Sequence, residues 1–216
     1  MVEERFLRRK IMVSNLILGR SLMIGMIVGF AGWIVLSALA EFPDPGDTAA
    51  LLSGLAENLE VSQIIGLISA VGFVTAIFSF IVLINKKLAN TATARIGGGM
   101  LLFGAIGGVL EMGLMLGGAE AFADNNVIGH SLYSTSQAIG SVTTFISAAG
   151  FILVGLTALR GGPMEKIPTI ILGLAGVVGA IIILTVGYGG MAMMAFYIGT
   201  LVGLVWLGWV CSGETD

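Results

Sequence analysis

A single carboxylate interrupts one of the most apolar stretches of the chain. Residues 96–118 read IGGGMLLFGAIGGVLEMGLMLGG, and Glu111 is the only charged residue among them. An acid inside a membrane-spanning helix costs about 2.5 to 3.5 kcal/mol to insert, so it needs a partner, a proton or a function. Glu111 is therefore the first candidate for chemistry in this sequence.

A polar face in the next apolar stretch is the second candidate. Its members recur at spacings of three and four and so share one side of a helix: Ser134, Gln137, Ser141 and Thr144. Gln137 and Ser141 are expected at a depth similar to that of Glu111. Together they predict a site, open to the outside, that titrates a proton or coordinates a cation. The alternative is a hydrogen-bonded Glu111 that only joins the two helices.

Two further features have alternative interpretations. The Ser and Thr hydroxyl groups of this face either line a polar path or bond to carbonyl groups of their own and neighbouring helices. The only histidine, His130, precedes the same apolar stretch. It is either a pH-sensitive partner of Glu111 or an ordinary residue of the membrane boundary.

The sequence contains few other residues or motifs of the kinds used in metal binding, catalysis or nucleic-acid binding. One Cys and one His leave no disulfide pair and no metal-ligand spacing, so we predict no metal and no cofactor. The sequence lacks an HExxH motif, a nucleophile elbow and paired carboxylates within one apolar stretch, which argues against an enzyme. Its basic residues flank the apolar stretches instead of forming a patch, which argues against nucleic-acid binding.

The composition predicts the elements that must position these residues. The chain is 56% hydrophobic and 11% charged, whereas soluble domains carry about 25% charged residues. We predict an all-α polytopic membrane protein, a bundle of six transmembrane helices in one domain at residues 21–210. The predicted spans are residues 21–40, 62–84, 96–118, 134–159, 168–187 and 191–210.

Charge divides the remaining segments into two sets. All ten Lys and Arg residues fall on the side that holds the N-terminus, the segments 85–95 and 160–167, and the C-terminus. The segments of the other side carry acids and no base. The positive-inside rule therefore predicts that both termini are cytoplasmic.

The two ends of the chain are predicted as separate short regions. Residues 1–20 form a basic arm, either an amphipathic helix on the membrane surface or a solvated flank, and residues 211–216 a short cytoplasmic tail. Residues 37–40 resemble a signal-peptide cleavage site. The apolar run before them is longer than the usual 7 to 15 residues of a signal peptide, however, so we expect the first span to be retained.

The segments on the acidic side are predicted as an interfacial helix and a turn. Asp47 is placed to cap a short helix that continues to Glu60. Residues 118–133 are predicted to form a polar turn. Glycines four residues apart predict helix contacts at four places: Gly25 and Gly29, Gly104 and Gly108, Gly113 and Gly117, and Gly199 and Gly203.

Four features follow one another along the chain: Val109-Leu110-Glu111 closing a glycine-rich span, His130 opening a serine-rich one, Ile167-Pro168 starting the fifth, and a Leu- and Trp-rich close at 204–209. This order resembles small prokaryotic multi-pass membrane proteins catalogued as a domain of unknown function of the 4386 type. The resemblance implies a fold of this kind and no activity. An Arg that the family places before the acid is replaced by Gly107 and Gly108, so an internal Arg–Glu pair is not expected.

Two functions follow from these observations. The first is an accessory or interaction protein of the membrane, because glycine contact faces are abundant and candidate chemistry is scarce. The alternative is a small proton- or cation-coupled transporter or conductor that uses Glu111 with the polar face of the fourth span. Both hypotheses place the chain in the inner or plasma membrane of a prokaryote. The expected partners are the lipid bilayer and either another membrane protein or a second copy of the chain.

Overall fold

A computed structural model describes residues 14–41, 44, 47–88, 91–161 and 164–214. Within these residues, all regular structure is helical, and six helices are long and apolar enough to cross a membrane. The helices are α1 (Asn15–Leu39), α2 (Thr48–Glu57), α3 (Leu59–Leu88), α4 (Ala92–Asp124), α5 (Asn126–Leu159), α6 (Lys166–Thr185) and α7 (Met194–Gly213), with a 3-10 turn at Met191–Met193. The shorter helix, α2, is the one that does not span.

The α4–α5 hairpin differs most from the sequence prediction. The polar turn predicted at 118–133 is wrong, because every residue in it except Asn125 is helical. The residues before Asn125 are mainly helix formers. Asn125 then begins the next helix at once, because its side chain accepts hydrogen bonds from the backbone N–H groups of Val127 and Ile128 at 3.0 and 3.3 Å. His130 therefore lies within a helix, not ahead of one.

Both ends of the membrane domain also differ from prediction. Residues 1–13 of the predicted basic arm lie outside the described residues. The rest of it is continuous with the first span, since α1 begins at Asn15 with Ser14 as its cap. The last helix continues to Gly213, so the predicted tail at 211–216 is helical in its first half.

The six long helices form a closed ring. Each packs against two others, in the order α1, α3, α4, α5, α6, α7 and back to α1. Neighbours along the chain run antiparallel, so the end of α3, the start of α4, the end of α5 and the start of α6 lie at the same end as Asn15 and Gly213, and α2 lies at the other end. Side chains around the outside of the ring are apolar and exposed, for example Leu67, Phe103 and Leu184. Such a surface is suited to lipid.

Glycines allow the helix backbones to approach closely within the ring. Gly25 lies against Gly72 where α1 crosses α3, and Gly19 against Gly208 where α1 crosses α7. Ser69 adds an interhelical hydrogen bond, its hydroxyl donating to the carbonyl oxygen of Gly29 at 2.7 Å. In lipid, close packing and such hydrogen bonds are what join helices, because the surrounding hydrocarbon is as apolar as the side chains.

The glycine pair at Gly113 and Gly117 is not part of a contact. A Cβ atom at either position would have no heavy atom within 4 Å, whereas one at Gly104 would meet the Ser147 side chain. Gly113 and Gly117 therefore do not contact another helix of the described chain. These two glycines lie on the open face of α4.

A polar cluster joins three helices at the end of the ring that holds the termini. The ammonium group of Lys87 in α3 lies 2.6 Å from the Glu214 carboxylate just after α7. Asn15 in α1 donates to the same carboxylate at 3.3 Å and accepts from Lys86 at 2.8 Å. The cluster fixes α1, α3 and α7 relative to one another where the helices leave the apolar region.

The short helix α2 covers the opposite end of the ring. Its Leu52 and Leu55 are fully buried and belong to a cluster with Leu36 of α1 and Leu116 of α4. The predicted cap is confirmed, since the Asp47 carboxylate accepts from the Ala50 N–H at 2.9 Å. The helix ends at Glu57, three residues before the predicted Glu60.

Replacing Asp47 with Ala is expected to loosen α2 without disturbing the ring. Loss of an N-cap costs about 1 kcal/mol, which corresponds to roughly fivefold faster hydrogen exchange at the first amides of α2. Mass-spectrometric hydrogen exchange on the protein in nanodiscs measures this directly. Asp47→Asn retains a capping oxygen and should exchange as the wild type does. Equal exchange in the Ala and Asn variants would show that the cap contributes nothing.

Candidate functional site: a carboxylate in a central cavity

A cavity of about 220 Å³ lies inside the ring of helices. It is lined by α1, α3, α4, α5, α7 and the segment between α6 and α7. Seven of its 23 lining residues are aromatic, against 8% of the whole chain. Among the described residues that line it, Glu111 is the only one of a type that carries charge at neutral pH. The site therefore combines one carboxyl group with an aromatic wall.

Glu111 lies near the middle of its helix. The midpoint of α4 is residue 108, so Glu111 is about 4.5 Å from the centre along the axis. The predicted span 96–118 would put Glu111 seven residues from its outer end, whereas α4 continues to Asp124. Its carboxyl group lies against the α5 backbone at Gly140, where a Cβ atom would overlap all three carboxyl atoms. A glycine at this position of α5 is therefore what makes room for the acid.

Two tyrosines complete the polar part of the site. The Tyr188 hydroxyl donates to Oε1 of Glu111 at 2.7 Å, and the Tyr197 hydroxyl donates to that of Tyr188 at 3.1 Å. Burial raises the pKa of Tyr188 well above its ordinary value, and the neighbouring Tyr197 and Glu111 raise it further. Tyr188 thus remains a neutral hydrogen-bond donor over the range in which carboxyl groups titrate.

The backbone between α6 and α7 positions Tyr188. Gly187 and Gly189 on either side have φ angles of +99° and +88°, the left-handed region that glycine adopts without steric cost. This short segment directs the phenol into the ring at the level of Gly140. Neither Tyr188 nor Tyr197 is among the site residues predicted from the sequence. A signal was present, because a phenol within an apolar region usually requires a hydrogen-bond partner.

The residues predicted to surround Glu111 do not do so together. Thr144 lines the cavity and interacts with Tyr197. Ser141 is not among the lining residues, and the side-chain amide of Gln137 lies beside Gly189. Among the described residues, the hydrogen-bond partner of Glu111 is Tyr188. Glu111 therefore accepts its hydrogen bond from Tyr188, and neither Gln137 nor Ser141 donates one to it among the described residues.

His130 is also separate from the site. Its ring packs edge-to-face on Phe122 of α4, with ring centroids 5.3 Å apart. Phe122 lies eleven residues beyond Glu111 on the same helix, about 16 Å along its axis. His130 is thus a packing residue of the α4–α5 hairpin, and of its two interpretations the partnership with Glu111 is the one that the structure does not support.

Hydroxyl groups on the face of α5 that meets α4 are bonded to their own helix. Thr143 donates to the carbonyl oxygen of Ile139 at 2.8 Å, and Ser147 to that of Thr143 at 2.9 Å. Ser147 still lines the cavity. Both hydroxyl groups therefore donate their hydrogen atoms within α5.

The chain matches no family model, no curated protein sequence and no solved structure. Its function is therefore inferred from the chemistry of the cavity. The titratable groups around Glu111 are the phenols of Tyr133, Tyr188 and Tyr197. Within the described part of the chain, no Lys, Arg or His lines the cavity, and no three His, Cys, Asp or Glu residues are arranged to hold a metal ion.

Proposed function

We propose that this protein is a small membrane transporter or conductor in which Glu111 exchanges a proton or a cation inside the helical ring. The observation that carries the proposal is a carboxyl group that faces a cavity and has no basic partner in the described chain. A carboxylate in such a place must balance its charge. It does so either by taking up a proton or by holding a cation.

The hydrogen bonding of Glu111 supports an exchange role over a purely structural one. Tyr188 donates to Oε1, and within the described residues Oε2 accepts no hydrogen bond. A carboxyl group that served only to join helices would be expected to bond to the helix against which it packs. Glu111 instead packs against a glycine and bonds to a short connecting segment, which leaves one oxygen for a proton or a ligand.

The proposal includes an orientation and a location. We place both termini in the cytoplasm, because all the Lys and Arg residues lie on that side of the six crossings. The inner or plasma membrane of a prokaryote is the proposed location, which rests on the resemblance to the prokaryotic family described above. Tyr188 and α2 would then lie towards the outside.

Glu111→Gln tests the proposal, because it keeps the shape and the acceptor oxygen for Tyr188 but removes the titrating group. In proteoliposomes with an imposed pH gradient and an internal pH-sensitive dye, the wild type is expected to dissipate the gradient faster than empty vesicles. The Gln variant should match empty vesicles. Glu120→Gln is the matched control, since Glu120 lies exposed on the same helix and outside the cavity. Equal proton flux in the wild type and in Glu111→Gln would rule out proton exchange at this site.

A second candidate is the accessory or interaction protein that the sequence analysis placed first. It is favoured by the exposure of α4. In the 18-residue apolar stretch of α4 that is suited to span a membrane, 17% of the residues are buried, against 33% to 44% in the corresponding stretches of the other five helices. A partner helix or a second copy would cover this face. Bulky replacements at Gly113 and Gly117, which have open space around them, should then reduce assembly measured by mass photometry in nanodiscs. Unchanged assembly would remove this candidate.

A further inference from the structure

The cavity around Glu111 has the chemistry of a site for an organic cation. Aromatic residues surround it on two sides: Phe30, Trp33 and Phe73 from α1 and α3, and Phe151, Phe196 and Tyr197 from α5 and α7. The rings of Trp33 and Tyr197 are 6.2 Å apart, and that of Phe30 lies 6.0 Å from Trp33. Aromatic faces attract cations, and clusters of them are the usual recognition element for quaternary ammonium groups.

Charge favours the same class of ligand. Glu111 contributes one negative charge when ionised, and no basic residue of the described chain lines the cavity. An inorganic cation would need several oxygen ligands, whereas the wall here is mostly aromatic rings, aliphatic side chains and three methionines. A single carboxylate within an aromatic wall matches a monovalent organic cation that brings its own apolar surface.

The size of the cavity limits the ligand further. Sites for drug-sized ligands have volumes of about 300 to 1,000 Å³, and this one is about 220 Å³. It suits a small head group, such as a trimethylammonium group with a short apolar substituent. A large multi-ring cation would not fit.

The walls of the cavity indicate how such a ligand enters. Helices α3 and α4 touch at two levels, where Gly66 lies against Leu116 and where Gly98 faces Ile84. Between those levels the cavity separates them. Gly108 of α4 lines the cavity with open space around it, and Val109 lines it while 44% exposed. The gap between α3 and α4 therefore opens to the apolar outer surface of the ring, and an amphiphilic cation dissolved in the bilayer would enter there.

We propose that the cavity binds a small lipophilic organic cation, held by the Glu111 carboxylate and the aromatic rings around Trp33, and admits it between α3 and α4. This inference rests on the proposed function and names the substrate class of the same site. Trp33 provides an internal reporter. The other two tryptophans, Trp206 and Trp209, lie on the exposed surface of α7, so replacing both with Phe leaves the emission of Trp33 alone.

The test compares phenyltrimethylammonium with tert-butylbenzene, its uncharged isostere of nearly the same shape, on the Trp206→Phe, Trp209→Phe protein in nanodiscs. The cation is expected to change Trp33 emission saturably and to bind at least about tenfold more tightly than the isostere. Adding Glu111→Gln should weaken cation binding about tenfold or more, because an ion pair out of water is lost. Adding Glu120→Gln should leave it unchanged.

Two results would overturn the inference. Equal affinity for the cation and the isostere, unaffected by Glu111→Gln, would make the cavity a neutral apolar site, and no saturable change with either compound would mean that neither binds there. The flux assay distinguishes this from failure of the proposed function. Saturable cation binding without proton or cation flux would overturn the proposed transport and leave the binding site. Proton flux without cation binding would overturn the binding site and leave the proposed transport.

Discussion

Replacing Gly140 with Ala is expected to disable the site while leaving the fold intact. The added methyl group would overlap the Cδ, Oε1 and Oε2 atoms of Glu111, so the whole carboxyl group must move. That side chain is long and flexible, so the movement costs little stability. It cannot keep its hydrogen bond to Tyr188, however, and a bond between two neutral groups is worth about 0.5 to 1.5 kcal/mol.

Three measurements on the Gly140→Ala protein follow. Proton flux in proteoliposomes should fall to the level of Glu111→Gln. The infrared C=O band of the Glu111 carboxyl group, assigned by its absence in Glu111→Gln, should shift because the hydrogen bond from the Tyr188 hydroxyl is lost. The free energy of unfolding should stay within about 1 kcal/mol of the wild type, since Ala is also the better helix former. Gly108→Ala is the control, because Gly108 lines the same cavity with no atom within 4 Å of the added carbon. Wild-type flux and an unshifted band in Gly140→Ala would show that Glu111 is not held between Gly140 and Tyr188.

The six long helices could be predicted from sequence because the hydrocarbon of a bilayer offers the backbone no hydrogen-bond partners. Every N–H and C=O group in the hydrocarbon must be bonded within its own segment, so a long apolar run there is a helix. The same rule says nothing about polar residues beyond the membrane. Residues 118–133 were predicted as a turn because they are polar, yet Ala, Glu and Phe continue α4, and the Asn125 side chain caps α5 at once. The Asn125 cap, and not the polarity of the segment, is the feature that indicates a helical hairpin.

The closed order of the helices was not predictable in the same way. A helix that is apolar on every side has no polar face to show which side points inward. The contacts depend instead on where small residues let two backbones meet, as at Gly155 and Gly173 between α5 and α6. Glycine spacing alone does not identify them. Gly113 and Gly117 have the spacing of a contact and face outward, whereas Gly104 and Gly107 of the same helix meet the side chains of Ser147 and Thr143 in α5.

The acid of the site, Glu111, could be predicted from the sequence, whereas the residues that surround it could not. Glu111 stood out because an acid in an apolar helix is costly wherever it points. Its surroundings depend on the rotation of α5, and one residue of offset turns a helix by about 100°. The polar pattern suggested Gln137 and Ser141, whereas the residue of α5 that meets the carboxyl group is Gly140. Tyr188 is 77 positions away in sequence and reaches the site through a turn whose conformation only its glycines suggest.

Replacing Gly72 with Ala is expected to destabilise the fold strongly. A Cβ atom there would lie 2.6 Å from the backbone nitrogen of Gly29 and 2.8 Å from the carbonyl oxygen of Gly25. Both are backbone atoms of α1, so no side chain can rotate away and the two helices must separate. Overpacking of this kind costs about 3 kcal/mol, and separation would also stretch the 2.7 Å hydrogen bond from Ser69 to Gly29.

The cost is measured as the free energy of unfolding, from reversible unfolding in mixed detergent and SDS micelles. Gly113→Ala makes the same substitution at a helix position with no neighbouring atom within 4 Å, and it should unfold like the wild type or gain about 0.5 to 1 kcal/mol from helix propensity. Because α1 also supplies Trp33 and Phe30 to the cavity wall, the Gly72 variant should lose cation affinity as well. Equal stability of Gly72→Ala and Gly113→Ala would mean that α1 and α3 do not meet through these glycines, and the closed ring around Glu111 would no longer hold.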